Sequence, residues 1–272
     1  MNTSAQRTAA APLRVALGEY DIGWHDPAAS LARASALIDR AAAAGAQVVV
    51  LPEMCTTGFT MEAAQYAEPV DGPSASAIAS AARSAGVYVV AGMATRARSE
   101  GGEAFYNSSI LFAPDGSLLV EYRKQRLFAY ATEHVTYTPG PSPAVVTVEG
   151  VRVALFICFD LRFPELFRAI APAADCIVVI ASWPASRQSH WDTLLRARAI
   201  ESQAFVIGVN RIGRGGEIDY AGGSAAYDPW GEPLTSAGDP MIVPVDPAMV
   251  ADARRKFPFV EQREVDADPP RR

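Results

Sequence analysis

Strand-like and helix-like segments alternate along this chain of 272 residues. Runs rich in β-branched residues, AQVVVLPE (46 to 53) and GVYVVAGMA (86 to 94), alternate with alanine-rich stretches of helical spacing near residues 27 to 44 and 74 to 85. Such alternation is typical of a layered α/β domain. The pattern therefore predicts an α/β fold with helices packed on the faces of a sheet.

The middle and the end of the chain add antiparallel pairs. Residues 107 to 114 and 116 to 124 flank an Asp115-Gly116 turn, which predicts a β-hairpin, and a last hairpin brackets turn residues 228 to 231. Between the hairpins, the alternation resumes with predicted strands at 151 to 158, 175 to 183 and 204 to 212, and a predicted helix at 188 to 203. We therefore expect a mixed sheet.

One domain accounts for most of the chain. Half of the residues are hydrophobic, the length suffices for a large core, and no low-complexity linker or short repeat divides the sequence. MNTSAQRTAAAP at the start lacks the apolar core of a signal peptide, and QREVDADPPRR at the end is polar and proline-rich. We predict an N-terminal extension (1 to 12), a domain (13 to 260) and a C-terminal tail (261 to 272).

Charge and hydropathy narrow the class of partner. The formal net charge is -6, the isoelectric point is about 5.2, and lysine and arginine form no cluster of the kind that binds nucleic acid or an anionic membrane surface. No apolar stretch approaches the roughly 20 residues of a membrane span. We therefore expect a cytoplasmic protein that binds a small molecule, with no nucleic acid and no membrane as partner.

The cysteines and histidines predict no metal and no cofactor. Cys55, Cys158 and Cys176 are an odd set without paired spacing, which indicates neither a disulfide framework nor a thiolate zinc site. The three histidines are scattered, and no glycine-rich phosphate loop is present.

Cys158 stands where a predicted strand, VRVALFIC, meets a predicted helix. A thiol at such a junction faces the unpaired N–H groups of the helix, which favour the thiolate, and Pro164 suits the first helical turn. The alternative is a small buried hydrophobic residue, as most cytosolic cysteines are. A nucleophilic role needs a base and an oxyanion donor as well.

Two charged residues at the ends of strands are candidates for those roles. Glu53 directly follows the apolar run VVVLP, so its carboxylate starts at the rim of a core, as suits a general base. A capping or salt-bridging glutamate is the alternative. Lys124 ends the strand VEYRK and could donate to an oxyanion, but Arg123 and Arg126 flank it and equally allow a charged edge strand.

Three segments together, LPEMCTTGF, YRKQRLF and ICFDLRFPEL, resemble the signature segments of the carbon-nitrogen hydrolase (nitrilase) superfamily. The resemblance spans about residues 13 to 260. It implies that Glu53, Lys124 and Cys158 form a catalytic set, joined by Glu133 in TEHVTYTPG. It also implies a four-layer α-β-β-α sandwich and a homodimer or larger homo-oligomer.

The resemblance implies amide hydrolysis through a covalent thioester. Glu53 would take the thiol proton, Cys158 would attack the carbonyl carbon, and Lys124 with the backbone N–H of Phe159 would hold the oxyanion. Family nitrilases usually carry Trp-Glu after the cysteine, whereas this chain has Phe159-Asp160, so an amide is the expected substrate.

Several segments resemble bacterial omega-amidases, which act on 2-oxoglutaramate and 2-oxosuccinamate. They are LPEMCTTGFTMEA (51 to 63), the stretch from 182 to 213, and KFP (256 to 258). The alternatives are an amidase for deaminated glutathione, an N-carbamoyl amide hydrolase, an aliphatic amidase, or a binding module without turnover.

Residues near the three segments supply candidate substrate contacts. An oxo-acid carboxylate needs a cationic anchor, for which Arg187 is the candidate, with a surface arginine as the alternative. Trp183 and Phe59 are expected to wall the pocket, although Trp183 equally suits the core.

Other polar residues are expected to play structural parts. Arg162 and Glu165 should form ion pairs, and Asn210 with Arg211 should orient loops near the site. Arg126 should face solvent or a partner subunit, with a position near the pocket entrance as the alternative.

Overall fold

The predicted alternation of strands and helices is present in the computed structural model, which describes residues 11–99 and 102–262. The α-helices are Pro27–Ala43 (α1), Ala63–Tyr66 (α2), Pro73–Ala85 (α3), Glu133–Thr136 (α4), Pro164–Ile170 (α5), Gln188–Ser202 (α6) and Pro247–Lys256 (α7). The first seven strands are Leu13–Leu17 (β1), Val48–Val50 (β2), Tyr88–Ser99 (β3), Gly102–Phe112 (β4), Leu118–Arg123 (β5), Ala144–Val148 (β6) and Val151–Ile157 (β7). The others are Cys176–Ala181 (β8), Phe205–Asn210 (β9), Ile212–Gly215 (β10), Ile218–Ala221 (β11), Ala225–Tyr227 (β12), Pro233–Leu234 (β13) and Met241–Val245 (β14).

The strands form two six-stranded sheets and one separate hairpin. The first sheet has the order β14-β1-β2-β3-β4-β5, the second has the order β13-β12-β9-β8-β7-β6, and β10 pairs with β11. In each large sheet three neighbouring strands are parallel, β1 to β3 and β7 to β9, and the strands outside them pair antiparallel. The predicted mixed character is confirmed.

Alternating side chains of the first sheet enter two different cores. Val15 and Leu17 pack in a core shared with the second sheet, whereas Ala16 between them packs with Leu37 and Ile38 of α1. This is the period of two expected for a strand with both faces covered. One face of the first sheet therefore meets the second sheet, and the other is covered by α1 and α3.

The outer face of the second sheet is covered in the same way by α6. Trp191 and Leu195, one helical turn apart, are fully buried against the sheet. Gly208 on β9 allows this close packing, because a Cβ there would overlap the Leu195 side chain. The layers therefore run helix, sheet, sheet, helix, and the expected α-β-β-α sandwich is confirmed.

Local signals also define the ends of elements. The Asp26 carboxylate accepts a hydrogen bond from the backbone N–H of Ala29 and caps α1, with Pro27 in the first turn. The predicted turn at Asp115 joins β4 and β5, with the Ala113 N–H donating to the Ser117 carbonyl at 2.8 Å.

Parts of the predicted domain organisation lie outside the described residues. Residues 1 to 10 of the predicted extension and 263 to 272 of the predicted tail are not described, so those boundaries stay predictions. Within the described ranges, no helix combines the length and the apolar character that a membrane span requires.

Candidate active site

The carboxyl ends of parallel strands from both sheets meet at one pocket. Glu53 follows β2, Cys158 follows β7, and Trp183 follows β8, so loops from the two sheets face each other there. The pocket contains about 430 Å³ of empty space when the solvent at its open mouth is counted. Its lining is Phe59, Lys124, Phe128, Ala131, Cys158, Phe159, Arg162, Ser182, Trp183, Pro184, Arg187, Ile218 and Tyr220.

Glu53 is fully buried, and donors from three segments hold its carboxylate. The backbone N–H of Ser182 donates to Oε2 at 2.7 Å, while Asn107 Nδ2 and Lys124 Nζ donate to Oε1 at 2.7 and 2.9 Å. Gly92 of the neighbouring strand makes room for this segment, because a Cβ there would lie 2.6 Å from the Glu53 Cα. The carboxylate is therefore fixed, and it salt-bridges inside the pocket wall rather than capping a helix.

Lys124 lies between two glutamates. Its ammonium donates to Glu53 Oε1 at 2.9 Å and to both carboxylate oxygens of Glu133 at 3.0 Å. Burial by itself lowers the pKa of Lys124, but the charges of Glu133 and Glu53 outweigh it and raise that pKa above its ordinary value. The strand β5 before it does lie at the edge of its sheet, but Lys124 is 1% exposed, so it is not a solvated lysine.

Glu133 begins the short helix α4 and completes the buried cluster. Its Oε2 accepts from the backbone N–H of Phe128 at 2.6 Å, and its Oε1 accepts from Asn107 Nδ2 at 2.8 Å. Asn107 thus donates to both glutamates from the adjacent strand β4. Two carboxylates, one ammonium and one amide form a connected polar network in which each carboxylate accepts at least three hydrogen bonds.

Cys158 adopts a backbone conformation that L-residues seldom adopt, with φ of +46°. It begins a 3₁₀ turn, Cys158–Arg162, directly after β7. A strained residue between a strand and a helical turn presents its side chain outward, as nucleophiles on such turns do. The thiol accordingly lines the pocket, and the alternative of an inert core cysteine does not describe its position.

The expected thiolate stabilisation by a helix is wrong. The helix α5 begins only at Pro164, which does occupy the first turn as predicted. Burial raises the pKa of the Cys158 thiol well above its ordinary value, and the charge of Glu53 adds to this, whereas Lys124 lowers it. The resting side chain is therefore a thiol, which must lose its proton to a base before it can attack.

Asp160 holds the turn that carries Cys158. Its fully buried carboxylate accepts from Tyr122 Oη at 2.8 Å and from the backbone N–H groups of Ile157 and Arg126 at 3.0 and 2.9 Å. Burial raises the pKa of Asp160 to about 6, although Lys124 and the three donors act in the opposite direction. The residue ties β7 and the nucleophile turn to the segment after Lys124.

Replacing Asp160 with asparagine should therefore lower both stability and activity. Asparagine has one acceptor oxygen where the carboxylate has two, so a buried donor loses its partner at a cost of about 1–3 kcal/mol. Urea unfolding at pH 7 measures the loss, with the exposed Asp115→Asn as a matched control that should stay within about 0.5 kcal/mol of wild type. An Asp160→Asn variant as stable and active as wild type would show that the turn holds without this carboxylate.

Trp183 and Arg187 both lie at the pocket, as expected. The Trp183 side chain is nearly fully buried and lines the pocket, so it belongs to the core and to the wall. The Trp183 backbone N–H donates to Asn210 Oδ1 at 2.7 Å. The indole Nε1 of Trp183 donates to the Arg187 carbonyl at 2.8 Å. Asn210 therefore orients this loop, as predicted.

Of the ion pairs expected for Arg162 and Glu165, the one for Glu165 is present and the one for Arg162 is not. Glu165 contacts Arg126 at 3.5 Å, and Arg126 is exposed, in line with the expectation that it faces solvent. Among the described residues Arg162 forms no salt bridge, and its guanidinium turns toward the pocket, where its Cζ lies 4.8 Å from the centre of the Trp183 ring.

Three contributors to the site were not predicted. These are the Asn107 amide, the Asp160 carboxylate and the backbone N–H of Ser182. A signal for Asn107 exists in the sequence, since Asn-Ser-Ser interrupts an otherwise apolar strand, and a buried polar side chain needs partners. Asp160 stands within the signature segment ICFDLRFPEL, but its partners come from β5 and the loop after it.

A family model described as carbon-nitrogen hydrolase matches residues 14–255. The chain belongs to this family. Its curated relatives include proteins named as omega-amidase or 2-oxoglutaramate amidase and others named only as hydrolases.

Two curated relatives of this carbon-nitrogen hydrolase carry omega-amidase names. It is 34% identical to 2-oxoglutaramate amidase of Bacillus subtilis (strain 168), over 81% of this chain and 84% of that protein. It is 33% identical to omega-amidase YafV of Escherichia coli (strain K12), over 90% of this chain and 94% of that protein.

Solved structures share the fold. XC1258 from Xanthomonas campestris is a CN-hydrolase superfamily protein with an arsenic adduct in its active site. It superposes with a TM-score of 0.84 at 33% identity, over 95% of this chain and 99% of that chain. The chain thus has the architecture of a solved CN-hydrolase superfamily protein.

Among the described residues there is no group of three or more histidine, cysteine, aspartate and glutamate side chains placed to hold a metal ion.

Proposed function

We propose that this protein is an omega-amidase. It hydrolyses the terminal amide of 2-oxo dicarboxylic acid monoamides, such as 2-oxoglutaramate and 2-oxosuccinamate, to the 2-oxo acid and ammonia. The observation that carries the proposal is the buried Glu53–Lys124–Glu133 cluster beside the Cys158 thiol, in a pocket that also presents arginine side chains. The curated names of the relatives support the substrate class.

The first step joins the thiol to the substrate. Glu53 takes the Cys158 proton, and the sulfur attacks the amide carbon to form a tetrahedral adduct with a negative oxygen. The raised pKa of the buried Cys158 thiol requires this base, because no thiolate is present beforehand. Ser182 N–H, Asn107 and Lys124 donate to the Glu53 carboxylate, and the Ser182 hydroxyl donates to the Glu53 backbone carbonyl, so the base is held ready for the transfer.

Lys124 and the backbone N–H of Phe159 stabilise the adduct. Both residues line the pocket next to Cys158. Lys124 stays protonated because the two glutamates raise its pKa, so it presents a permanent charge to the oxyanion. A preorganised donor of this kind typically lowers the barrier by about 3–4 kcal/mol.

The adduct then collapses, and water completes the reaction. Glu53 returns its proton to the amide nitrogen, the C–N bond breaks, ammonia leaves, and a thioester on Cys158 remains. A water molecule gives a proton to Glu53 and attacks the thioester carbon. The C–S bond then breaks, the acid is released, and Glu53 returns the proton to the Cys158 sulfur. Glu133 keeps Lys124 and Asn107 in place throughout.

The pocket walls orient the rest of the substrate. Trp183 and Phe59 provide apolar faces for the short carbon chain, and Arg187 binds the carboxylate as a charge-assisted donor. We further propose that the enzyme acts without a cofactor in the cytoplasm, as a homodimer or larger homo-oligomer.

Ammonia release from 2-oxoglutaramate should exceed that from competing substrates. The competitors are a neutral aliphatic amide of similar length and an N-carbamoyl amino acid, compared by kcat/KM. We expect 2-oxoglutaramate to be preferred by at least about tenfold over the neutral amide, since loss of one charge-assisted contact costs about 1.5–3 kcal/mol. The N-carbamoyl amino acid keeps a carboxylate but has a ureido group in place of the amide and no adjacent oxo group, and it should also be hydrolysed more slowly. Equal or better turnover of the N-carbamoyl compound would reject the omega-amidase assignment in favour of another carbon-nitrogen hydrolase activity.

A further inference from the structure

Two guanidinium groups line the pocket around Cys158. Arg162 ends the 3₁₀ turn that begins at the nucleophile, and Arg187 ends a second 3₁₀ turn, Ala185–Arg187, after β8. Each is packed against an aromatic ring, with the Arg162 Cζ 4.8 Å from the Trp183 centroid and the Arg187 Cζ 5.6 Å from that of Phe128. The rings restrict the guanidiniums to the pocket wall.

Among the described residues, neither guanidinium forms a salt bridge with a carboxylate. The nearest polar contact of Arg162 is the His190 ring, at 3.2 Å from its Nη2 to Nδ1. Lys124, by contrast, is matched by Glu53 and Glu133. The two guanidiniums are therefore the cations at this pocket that have no carboxylate partner among the described residues, and an anionic ligand group can bind to them.

The positive charges of the two guanidiniums also repel each other. The pKa of Arg162 lies below its ordinary value, first because burial removes water from the guanidinium and second because of the charge of Arg187. Two like charges kept close together in a partly buried pocket are an arrangement that an anion relieves. A neutral ligand leaves this repulsion in place.

We infer that Arg162 and Arg187 bind the 2-oxo carboxylate end of the substrate together, and that Arg162 is a specificity-determining residue. This inference rests on the proposed omega-amidase function. A carboxylate with an adjacent oxo group offers three acceptor oxygens, and two planar guanidiniums supply enough donors for all three. The amide end of the substrate then reaches Cys158, and the pair rejects amides that lack the anionic end.

The test compares charged and neutral amides in matched variants. The variants are Arg162→Gln, Arg187→Gln and Arg162→Lys, with Arg126→Gln as the control because Arg126 lies outside the pocket and is exposed. The substrates are 2-oxoglutaramate and pentanamide, a neutral amide of the same chain length. Ammonia release gives kcat and KM for each pair.

Arg162→Gln should lower kcat/KM for 2-oxoglutaramate by about 10- to 100-fold, mainly through KM, and should change kcat/KM for pentanamide by less than about threefold. Arg187→Gln should behave alike, Arg162→Lys should restore part of the loss, and Arg126→Gln should match wild type. An equal loss for both substrates in Arg162→Gln would overturn the inference, because it indicates a structural role on Trp183. An unchanged KM for 2-oxoglutaramate would overturn it too, and would leave Arg187 as the only anchor.

A second measurement separates this inference from the proposed function. The product anion 2-oxoglutarate should inhibit pentanamide hydrolysis by wild type competitively, and at least about tenfold more weakly in Arg162→Gln. Wild-type preference for another carboxylated amide, with inhibition still dependent on Arg162, would reject 2-oxoglutaramate as the substrate and retain the two-arginine site. Absence of inhibition by 2-oxoglutarate in wild type would reject the site itself.

Discussion

Replacing Cys158 with alanine is expected to reduce ammonia release from 2-oxoglutaramate by at least about 10⁴-fold. Alanine occupies the same strained turn but has no sulfur to form the thioester, and the remaining donors accelerate direct attack by water only weakly. The measurement is single-turnover and steady-state ammonia release at pH 7, with intact-protein mass spectrometry to detect the acyl-enzyme. Only protein with the thiol should gain the mass of the acyl group.

Cys176→Ala is the matched control for that substitution. Cys176 is buried in β8 and does not line the pocket, so its loss should leave the rate within about twofold of wild type and cost about 1 kcal/mol of stability. Residual activity of Cys158→Ala within about tenfold of wild type would mean that another group is the nucleophile, and it would reject the thioester mechanism.

Replacing Lys124 with methionine is expected to lower the free energy of unfolding by about 3–5 kcal/mol and to abolish turnover. Methionine fills a similar volume, but it leaves two adjacent buried carboxylates without the ammonium that both contact within 3.0 Å. Lost oxyanion stabilisation adds to the kinetic effect. Urea unfolding at pH 7 gives the energetic loss, and ammonia release gives the kinetic one.

The pH dependence of this stability difference has a definite sign. The pKa of Lys124 is raised in the folded protein, so the stabilising charge is fully present below the ordinary lysine value of about 10.4 and is lost as pH rises beyond it. The difference between wild type and Lys124→Met should therefore be constant from pH 7 to about 10 and decrease above that. A difference that grows with alkaline pH would contradict the assigned ion pairs.

Lys256→Met serves as the control, since the Lys256 side chain is exposed and pairs only with Asp252 on the surface. Its effect should stay below about 1 kcal/mol. A comparable loss of unfolding free energy in both variants would show that the effect is not specific to the buried lysine.

The layers of the fold could be predicted because their signals are local and periodic. Helix α6 and the hairpin around Asp115 follow from hydrophobic spacing and turn residues within a few positions of each other. No short segment of the sequence determines the order in which the strands pair within each sheet. That order follows from long-range contacts such as β1 with β14, whose residues are separated by more than 200 positions.

The candidate catalytic residues could be named from the sequence because each stands in a distinctive segment. Glu53, Lys124 and Cys158 are 71 and 34 positions apart along the chain, and the structure brings the first two within 2.9 Å and places Cys158 on the same pocket. Their roles remain a proposal. The segments supplied identity and order, but no distance, burial or charge state.

Tertiary structure alone decided the environment of those residues. The surroundings of Cys158 favour the thiol over the expected thiolate, because loss of solvation and the charge of Glu53 both raise the pKa of the thiol. Asn107 acquired its bridging contacts because β4 lies beside β3 and close to the segment after β2.

Arg162 shows most clearly the difference between what the sequence predicts and what the tertiary structure determines. Its position after the nucleophile predicted a structural ion pair, whereas the packed chain places it over Trp183 and within the electrostatic influence of Arg187. The sequence by itself determined which chemical groups are present and which elements carry them, because propensity and hydrophobic period act over short stretches. Only the packing of the two sheets decided which groups meet, since burial and charge interactions depend on neighbours distant in the chain.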